Sequence, residues 1–245
     1  MEFQDVVRRR RMVRRFTDEP VDPRSVDRLL RNAVRAPNAG FTQGWAFVVL
    51  DTPDGVARFW SATSPRAVAG VGDVGGAAAG GVSGGEPGAA AEVAAAEAGG
   101  GARETRWLTG MRTAPVVVVV LTSREAYLRR YAEDDKARAA AQAAGEGDSP
   151  WDVPYWHVDA GMASLLMLQT AVDEGLGACF FGVPPGQVEA LREAFGVPDE
   201  FLVTGVVAVG HAASDAAQGG GSPASGSPTR RPRRPLEDVV HRGGW

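Results

Sequence analysis

The hydrophobic pattern of the first fifty residues predicts a helix, a polar turn and a strand. From about residue 22, apolar side chains recur at three- and four-residue steps, as on one face of an amphipathic helix: Val26, Leu29, Leu30, Ala33 and Val34. Pro37 ends this helix, because the residue before a proline is pushed out of helical geometry. The apolar run Ala46–Leu50 then predicts a short strand buried on both faces. The polar segment Asn38–Gln43 joins them, and loops at such places often carry ligands.

Later segments continue this alternation of helices and strands. The valine-rich run Val116–Leu121 predicts a central strand. Asp159–Glu174 is apolar nearly all round, which predicts a helix covered on several sides, in part by a second subunit. The segment Gly175–Gly177 is expected to cap it. Further helices are predicted at 2–11, around Phe59-Trp60 and at 104–111, 127–144 and 185–195, with strands at 178–181 and 203–210.

Composition divides the chain of 245 residues into one domain and a separate tail. We expect a single domain over 1–211, interrupted by a Gly/Ala-rich insertion at about 68–101. The insertion is either a lid or a tolerated surface expansion. Residues 212–229 are rich in Ala, Gly, Ser and Pro, which predicts a flexible linker. The arm 230–245 regains apolar residues and is expected to dock on its own subunit or on a partner.

Charge and residue counts argue against several classes of function. The net charge of -4 disfavours nucleic acid as a general partner. Cys179 is the one cysteine, and the three histidines are scattered, so no metal site is expected. No apolar run is long enough to span a membrane, and the charged N-terminus does not resemble a signal peptide. The expectation is a cytoplasmic protein without a metal or a membrane partner.

Two arginine clusters, at 8–15 and 230–234, are the main candidate for binding chemistry. Either cluster alone is equally compatible with a solvated surface. Together, in a chain of net negative charge, they suggest convergence on one anion. Arginine suits a phosphate because its planar fork donates two parallel hydrogen bonds.

The order of several short motifs resembles the FMN-dependent nitroreductase family. The matching positions are Arg10, Arg11, Val13, Arg14, Phe16, Pro20, Val21, Leu29, Leu30, Ala36, Pro37, Gln43 and Trp45. The later run from Gly175-Leu176-Gly177 to Gly182 resembles a second segment of that family. Three positions depart from its pattern: Met12 stands for Ser, Phe41 for Asn and Gly44 for Pro.

This resemblance implies a fold and a set of cofactor-binding residues. The fold would be an α+β three-layer sandwich, a mixed central β-sheet flanked by helices, in a domain-exchanging homodimer with two flavins at the interface. Backbone N–H groups of Gly182 and Val183 would face flavin N5, and Pro37, Asn38 and Ala39 would lie against the ring. The residues implied to bind FMN are Arg10, Arg11, Met12, Arg14, Pro37, Asn38, Ala39, Phe181, Gly182, Val183, Arg231 and Arg233.

The implied activity is transfer of electrons from NADH or NADPH, through FMN, to a small electron-poor acceptor by a ping-pong mechanism. The cofactor would carry the chemistry, so no catalytic side chain is expected. A non-catalytic, flavin-sequestering protein of the same fold is the first alternative, and a nucleic-acid-binding module using the arginine-rich ends is the second. Three points stay open: whether Asn38 is only a turn residue, whether Phe41 stacks on a ligand or fills the core, and which acceptor is used.

Overall fold

The computed structural model describes residues 1–64, 106–136, 153–214 and 233–245. The predicted insertion at 68–101, most of the predicted linker, and Arg231 lie outside the described residues. The helices are α1 (Phe3–Arg9), α2 (Pro23–Ala33), α3 (Pro53–Thr63), α4 (Arg106–Met111), α5 (Arg124–Ala132), α6 (Tyr155–Asp173) and α7 (Pro185–Phe195). The strands are β1 (Trp45–Leu50), β2 (Val116–Thr122), β3 (Gly177–Phe181) and β4 (Leu202–Gly210). Short 3-10 helices cover Ala39–Phe41 and Leu236–Asp238.

The four strands form one sheet in the order β1-β2-β4-β3, with every neighbouring pair antiparallel. All side chains of β2 are buried, which confirms its predicted central place. Helices α2 and α6 pack on one face of the sheet, and α3, α4 and α7 pack on the other. The α+β sandwich of three layers is therefore confirmed.

Two expectations about the sheet are corrected. The strands pair antiparallel instead of forming a mixed sheet, and among the described residues the parallel pairing is confined to the single bridge between Met12 and Ala178. Strand β1 lies at an edge, and all of its residues except Leu50 are only half-buried. An apolar run indicates that a strand packs well, but it carries no information on the direction of its neighbours or on their number.

Helix α6 spans the sheet and packs against all four strands. It begins at Tyr155, earlier than the predicted start, and ends where the sequence predicts. Gly175 adopts a left-handed φ of 76°, and the N–H of Leu176 donates to the carbonyl of Ala171 at 2.7 Å. This is the six-to-one hydrogen bond of a glycine-terminated helix. The cap turns the chain directly into β3.

The arginine-bearing segment 10–14 lies along the outer edge of β3. The N–H of Val13 donates to the carbonyl of Ala178 at 2.9 Å. Two glycines make room for this segment. A Cβ on Gly177 would lie 2.9 Å from the Val13 side chain, and one on Gly110 would lie 2.3 Å from the carbonyl oxygen of Arg14. The backbone that carries the arginines is therefore packed against α4 and β3.

Replacing Gly110 tests this packing. We expect Gly110→Ala to lower the free energy of unfolding by about 1–3 kcal/mol, because the new methyl group must displace the Arg14 backbone. Gly186→Ala is the matched control, since a Cβ at Gly186, near the start of α7, meets nothing within 4 Å. It should raise stability by up to about 1 kcal/mol. Urea unfolding of both variants is the measurement, and equal stability would contradict the packing.

Candidate functional site

Arg10 has a buried guanidinium nitrogen with no hydrogen-bond partner. Its Nη1 is enclosed, and the described part of the chain supplies no acceptor for it. Arg11 and Arg14 are exposed, and Arg14 donates to the carbonyl of Met12 at 3.3 Å. None of the three forms an ion pair with any described residue. Because a buried charged donor is costly without an acceptor, Arg10 fits a site that binds an anion.

Phe181 closes the end of β3 within an aromatic cluster. Its ring stacks on Trp60 with centroids 5.8 Å apart and an interplanar angle of 6°, and it meets Trp107 edge-on at 5.6 Å. Gly182 follows, exposed and with open space where a Cβ would lie. Val183 packs partly into the core. Substrate or cofactor can therefore approach the backbone at Gly182 closely.

Met12 uses its side chain within the protein. Its thioether sulfur accepts a hydrogen bond from the N–H of Phe180 at 3.5 Å. The expected serine hydroxyl is thus replaced by a sulfur directed at the edge of β3. This contact joins the arginine segment to the strand that ends at Gly182.

The C-terminal arm is exposed over all of its described residues, 233–245. Its hydrogen bond from Arg234 to Asp238 and its ring contact between His241 and Trp245 join arm residues to each other. The chain leaves the core beside the arginine segment, where the N–H of Ala213 donates to the carbonyl of Arg15 at 3.1 Å. Convergence of Arg233 with the first cluster stays a prediction.

The Asn38–Gln43 turn is closed by Asn38 and is conformationally strained. The Asn38 side-chain oxygen accepts from the N–H of Gln43 at 2.8 Å, so Asn38 does act as a turn residue. Gly40, Phe41 and Gln43 have φ values of 63°, 56° and 53°. The left-handed region is unfavourable for Phe and Gln. Phe41 is 74% exposed, so it does not fill the core of this chain.

Two helices hold this turn through residues that the sequence analysis did not single out. Asp159 on α6 is 3% exposed, and its Oδ2 accepts from the N–H of Ala39 and from the Tyr127 hydroxyl, each at 2.7 Å. On α5, Arg130 donates from Nε to the carbonyl of Gly40 at 2.8 Å. The acidic residue at the predicted start of an otherwise nearly all-apolar helix was the one signal that could have identified Asp159.

Burial shifts the pKa of two groups near these segments. Burial, followed by the hydrogen bond to Asp159, raises the pKa of Tyr127 far above its usual range. Burial raises the pKa of Cys179 to about 11, although the charge of Arg14 opposes the shift. The Cys179 thiol is therefore protonated at neutral pH and is not a nucleophile. The described residues contain no cluster of His, Cys, Asp or Glu that could hold a metal ion.

The turn and the arginine segment lie at opposite edges of the sheet. The turn leads into β1, while Met12 and Gly182 adjoin β3, with β2 and β4 between them. Three strand spacings place these edges about 14 Å apart. The two groups also lie at different levels along the strands, because the turn precedes Trp45 at one end of the sheet, whereas Met12 pairs with Ala178 near the other end. Phe181, at the end of β3, is level with Val48 in the middle of β1.

Comparison with known proteins finds a family model that matches this chain and solved structures that are similar to it. A sequence model of the Nitroreductase family matches residues 7–211. A nitroreductase with bound FMN from Bacteroides fragilis is 16% identical, with a TM-score of 0.57, 87% of this chain and 89% of that chain covered. A protein from Parabacteroides distasonis, described as an NADH dehydrogenase/NAD(P)H nitroreductase, is 17% identical, with a TM-score of 0.58, 100% and 99% covered.

A local similarity to a curated protein is also present. Human iodotyrosine deiodinase 1 is 38% identical over 53 residues, which are 22% of this chain and 18% of that protein. The match thus spans less than a fifth of the relative's length. The two solved structures above are only 16% and 17% identical to this chain, so they establish its fold alone.

Within the described residues, no helix is both long and apolar enough to cross a bilayer.

The raised pKa of Tyr127 predicts a pH dependence of stability. A buried, neutral phenol stabilises the fold fully below the unfolded pKa of about 10, and this contribution is lost as pH rises toward the folded value. We expect the free energy of unfolding to fall above about pH 10 more steeply in the wild type than in Tyr127→Phe. Urea unfolding across this alkaline range measures the slopes. Identical slopes would show that Tyr127 titrates as an ordinary phenol.

Proposed function

The chain belongs to the nitroreductase family, and from this premise we propose that it is an oxidoreductase that uses FMN. NADH or NADPH would supply the electrons, and small electron-poor molecules such as nitro-compounds or quinones would receive them. The observation that carries the proposal is the buried Nη1 of Arg10, which has no acceptor among the described residues and lies on the segment beside β3.

The arginine segment fits the phosphate of FMN. Arg10 offers a buried donor, while Arg11 and Arg14 add exposed positive charge without ion pairs among the described residues. Each charge-assisted hydrogen bond to a phosphate oxygen would contribute about 1.5–3 kcal/mol. Together they could hold a dianion firmly. Arg231 and Arg233 would supply the remaining charge.

The protein's contribution would be binding and orientation. When bound, FMN would supply the hydride chemistry. Gly182 leaves the backbone open at the end of β3, where the ring would lie, and the protonated Cys179 thiol takes no part. The aromatic cluster around Phe181 fixes the strand end that presents this backbone.

We propose a homodimer because the two halves of the proposed site lie apart in one chain. A single chain separates the Ala39 turn from Gly182 by two strands, so one flavin in contact with both would have to lie between two subunits. Helix α6 carries an exposed apolar stripe suited to such an interface: Tyr155, Val158, Met162 and Leu165, each 37–45% exposed.

Two-fold pairing through this stripe would complete the site. The turn is bound near the start of α6, whereas the end of α6 leads into β3. Two antiparallel copies of α6 would therefore place the turn of one subunit beside β3 of the other. The exposed arm, with apolar Leu236, Val239 and Trp245, is proposed to dock on the partner.

Loss of Arg10 should weaken cofactor binding. We expect Arg10→Ala to lower the affinity of the apoprotein for FMN by about tenfold or more, because the buried donor to the phosphate is lost. Arg24→Ala is the matched control, since Arg24 is exposed on α2. Quenching of flavin fluorescence measures both affinities. The phosphate assignment is wrong if the two variants bind FMN equally well, and the cofactor proposal is wrong if the wild type binds none.

Anaerobic reduction separates an enzyme from a protein that only sequesters flavin. The FMN-loaded protein is mixed with NADH or NADPH, and the flavin absorbance is followed by stopped flow. We expect one nicotinamide to bleach the flavin within seconds and a quinone or nitro-compound to restore it. A flavin that stays oxidised with both donors would favour the non-catalytic alternative.

A further inference from the structure

We infer that Asp159 is a positioning residue for the flavin site: its buried carboxylate sets the conformation of the Asn38–Gln43 turn and thereby presents that turn to the cofactor. This inference rests on the proposed use of FMN. Asp159 would act through the backbone of Ala39, without contacting the cofactor itself.

One oxygen atom of Asp159 accepts both of the hydrogen bonds on which this inference rests. Both the Ala39 N–H and the Tyr127 hydroxyl donate to Oδ2 of Asp159 at 2.7 Å. The carboxylate is 3% exposed, so these two donors replace water as its partners. Charge-assisted hydrogen bonds of this length are stronger than neutral ones. The turn, α5 and α6 are therefore tied together at a single point.

The turn needs such an anchor because it is strained. Phe41 and Gln43 both have positive φ, which is uncommon for residues other than glycine. Conformations of this kind are unfavourable and persist only where the surroundings impose them. The hydrogen bond from the Gln43 N–H to the Asn38 side-chain oxygen is local to the turn and does not attach it to the rest of the protein.

Helix α5 supplies the other side of the anchor. Arg130 donates to the carbonyl of Gly40. Its Nη1 and Nη2 also donate to the two carboxylate oxygens of Asp135, at 2.7 and 2.8 Å. A Cβ on Gly40 would lie 2.8 Å from the Tyr131 ring, so the turn rests directly on α5. Pro37 and Phe41 remain exposed while the backbone between them is bound to α6. The backbone of the turn is therefore bound to the protein, whereas the exposed side chains of Pro37 and Phe41 are available to a ligand.

Three variants separate positioning from general stability. Asp159→Ala removes the acceptor and should free the Ala39 N–H. Asp159→Asn can place its amide oxygen where Oδ2 lies and should keep both hydrogen bonds. Tyr127→Phe removes one donor but leaves the bond to Ala39 intact. If Asp159→Ala does not fold, the double variant Asp159→Leu, Tyr127→Phe takes its place, because replacing both buried partners by apolar groups is better tolerated.

Two measurements on the full-length protein give the test. Hydrogen exchange of the apoprotein reports on the amides of 38–43, and flavin fluorescence reports the affinity for FMN. We expect Asp159→Ala to lose protection in the turn and about tenfold or more in FMN affinity. Asp159→Asn and Tyr127→Phe should stay within about threefold of the wild type. Tyr127→Phe should nevertheless be less stable in urea.

The outcomes distinguish this inference from the proposed function. A wild type that binds no FMN overturns the proposed function and this inference with it. A wild type that binds FMN, together with an Asp159→Ala variant of equal affinity and a protected turn, overturns the inference alone. It is also overturned if Tyr127→Phe loses as much affinity as Asp159→Ala, because stability would then explain both.

Discussion

The order of the strands is the constraint on which the proposed site depends. With β2 and β4 between them, β1 and β3 cannot bring their flanking segments together in one chain. The Ala39 turn belongs to one edge, and Met12 and Gly182 belong to the other. The register also separates the turn from Met12 along the strands, since the turn precedes Trp45 at one end of the sheet and Met12 pairs with Ala178 near the other. A cofactor that uses both edges therefore implies a second subunit, and the exposed stripe on α6 is where one would fit.

The two halves of the proposed site are held by different physical means. The arginine segment is packed by steric fit, since Gly110 and Gly177 let its backbone approach α4 and β3 closely. The turn is held instead by two hydrogen bonds, in which the Ala39 N–H donates to Asp159 and Arg130 donates to the Gly40 carbonyl. These bonds offset the cost of the positive φ values in the turn. Both arrangements leave groups without partners inside the described chain: the Nη1 of Arg10, and the exposed ring of Phe41.

Local sequence signals predicted the helices and strands. Contacts between residues that are distant in the chain were not predicted. Pro37, the Gly175 cap and the start of α7 at Pro185 were identified because each depends on neighbouring residues alone. The edge position of β1 and the antiparallel sheet depend on which strands meet, which an apolar run does not reveal. The role of Asp159 depends on an N–H 120 residues away. The arginine segment was found through its charge and its family resemblance, but its packing against Gly110 has no sequence signal.

The claim that each flavin site is shared between two chains is tested most directly by subunit complementation. Arg10→Ala disables the phosphate side, and Ala39→Trp fills the ring side; each variant alone should bind little FMN. Mixing the two under conditions that exchange subunits should restore one binding site per mixed dimer, assembled from the intact half of each chain. The contrary result is a mixed dimer that binds no more FMN than its parents, as would follow if each chain held a complete site.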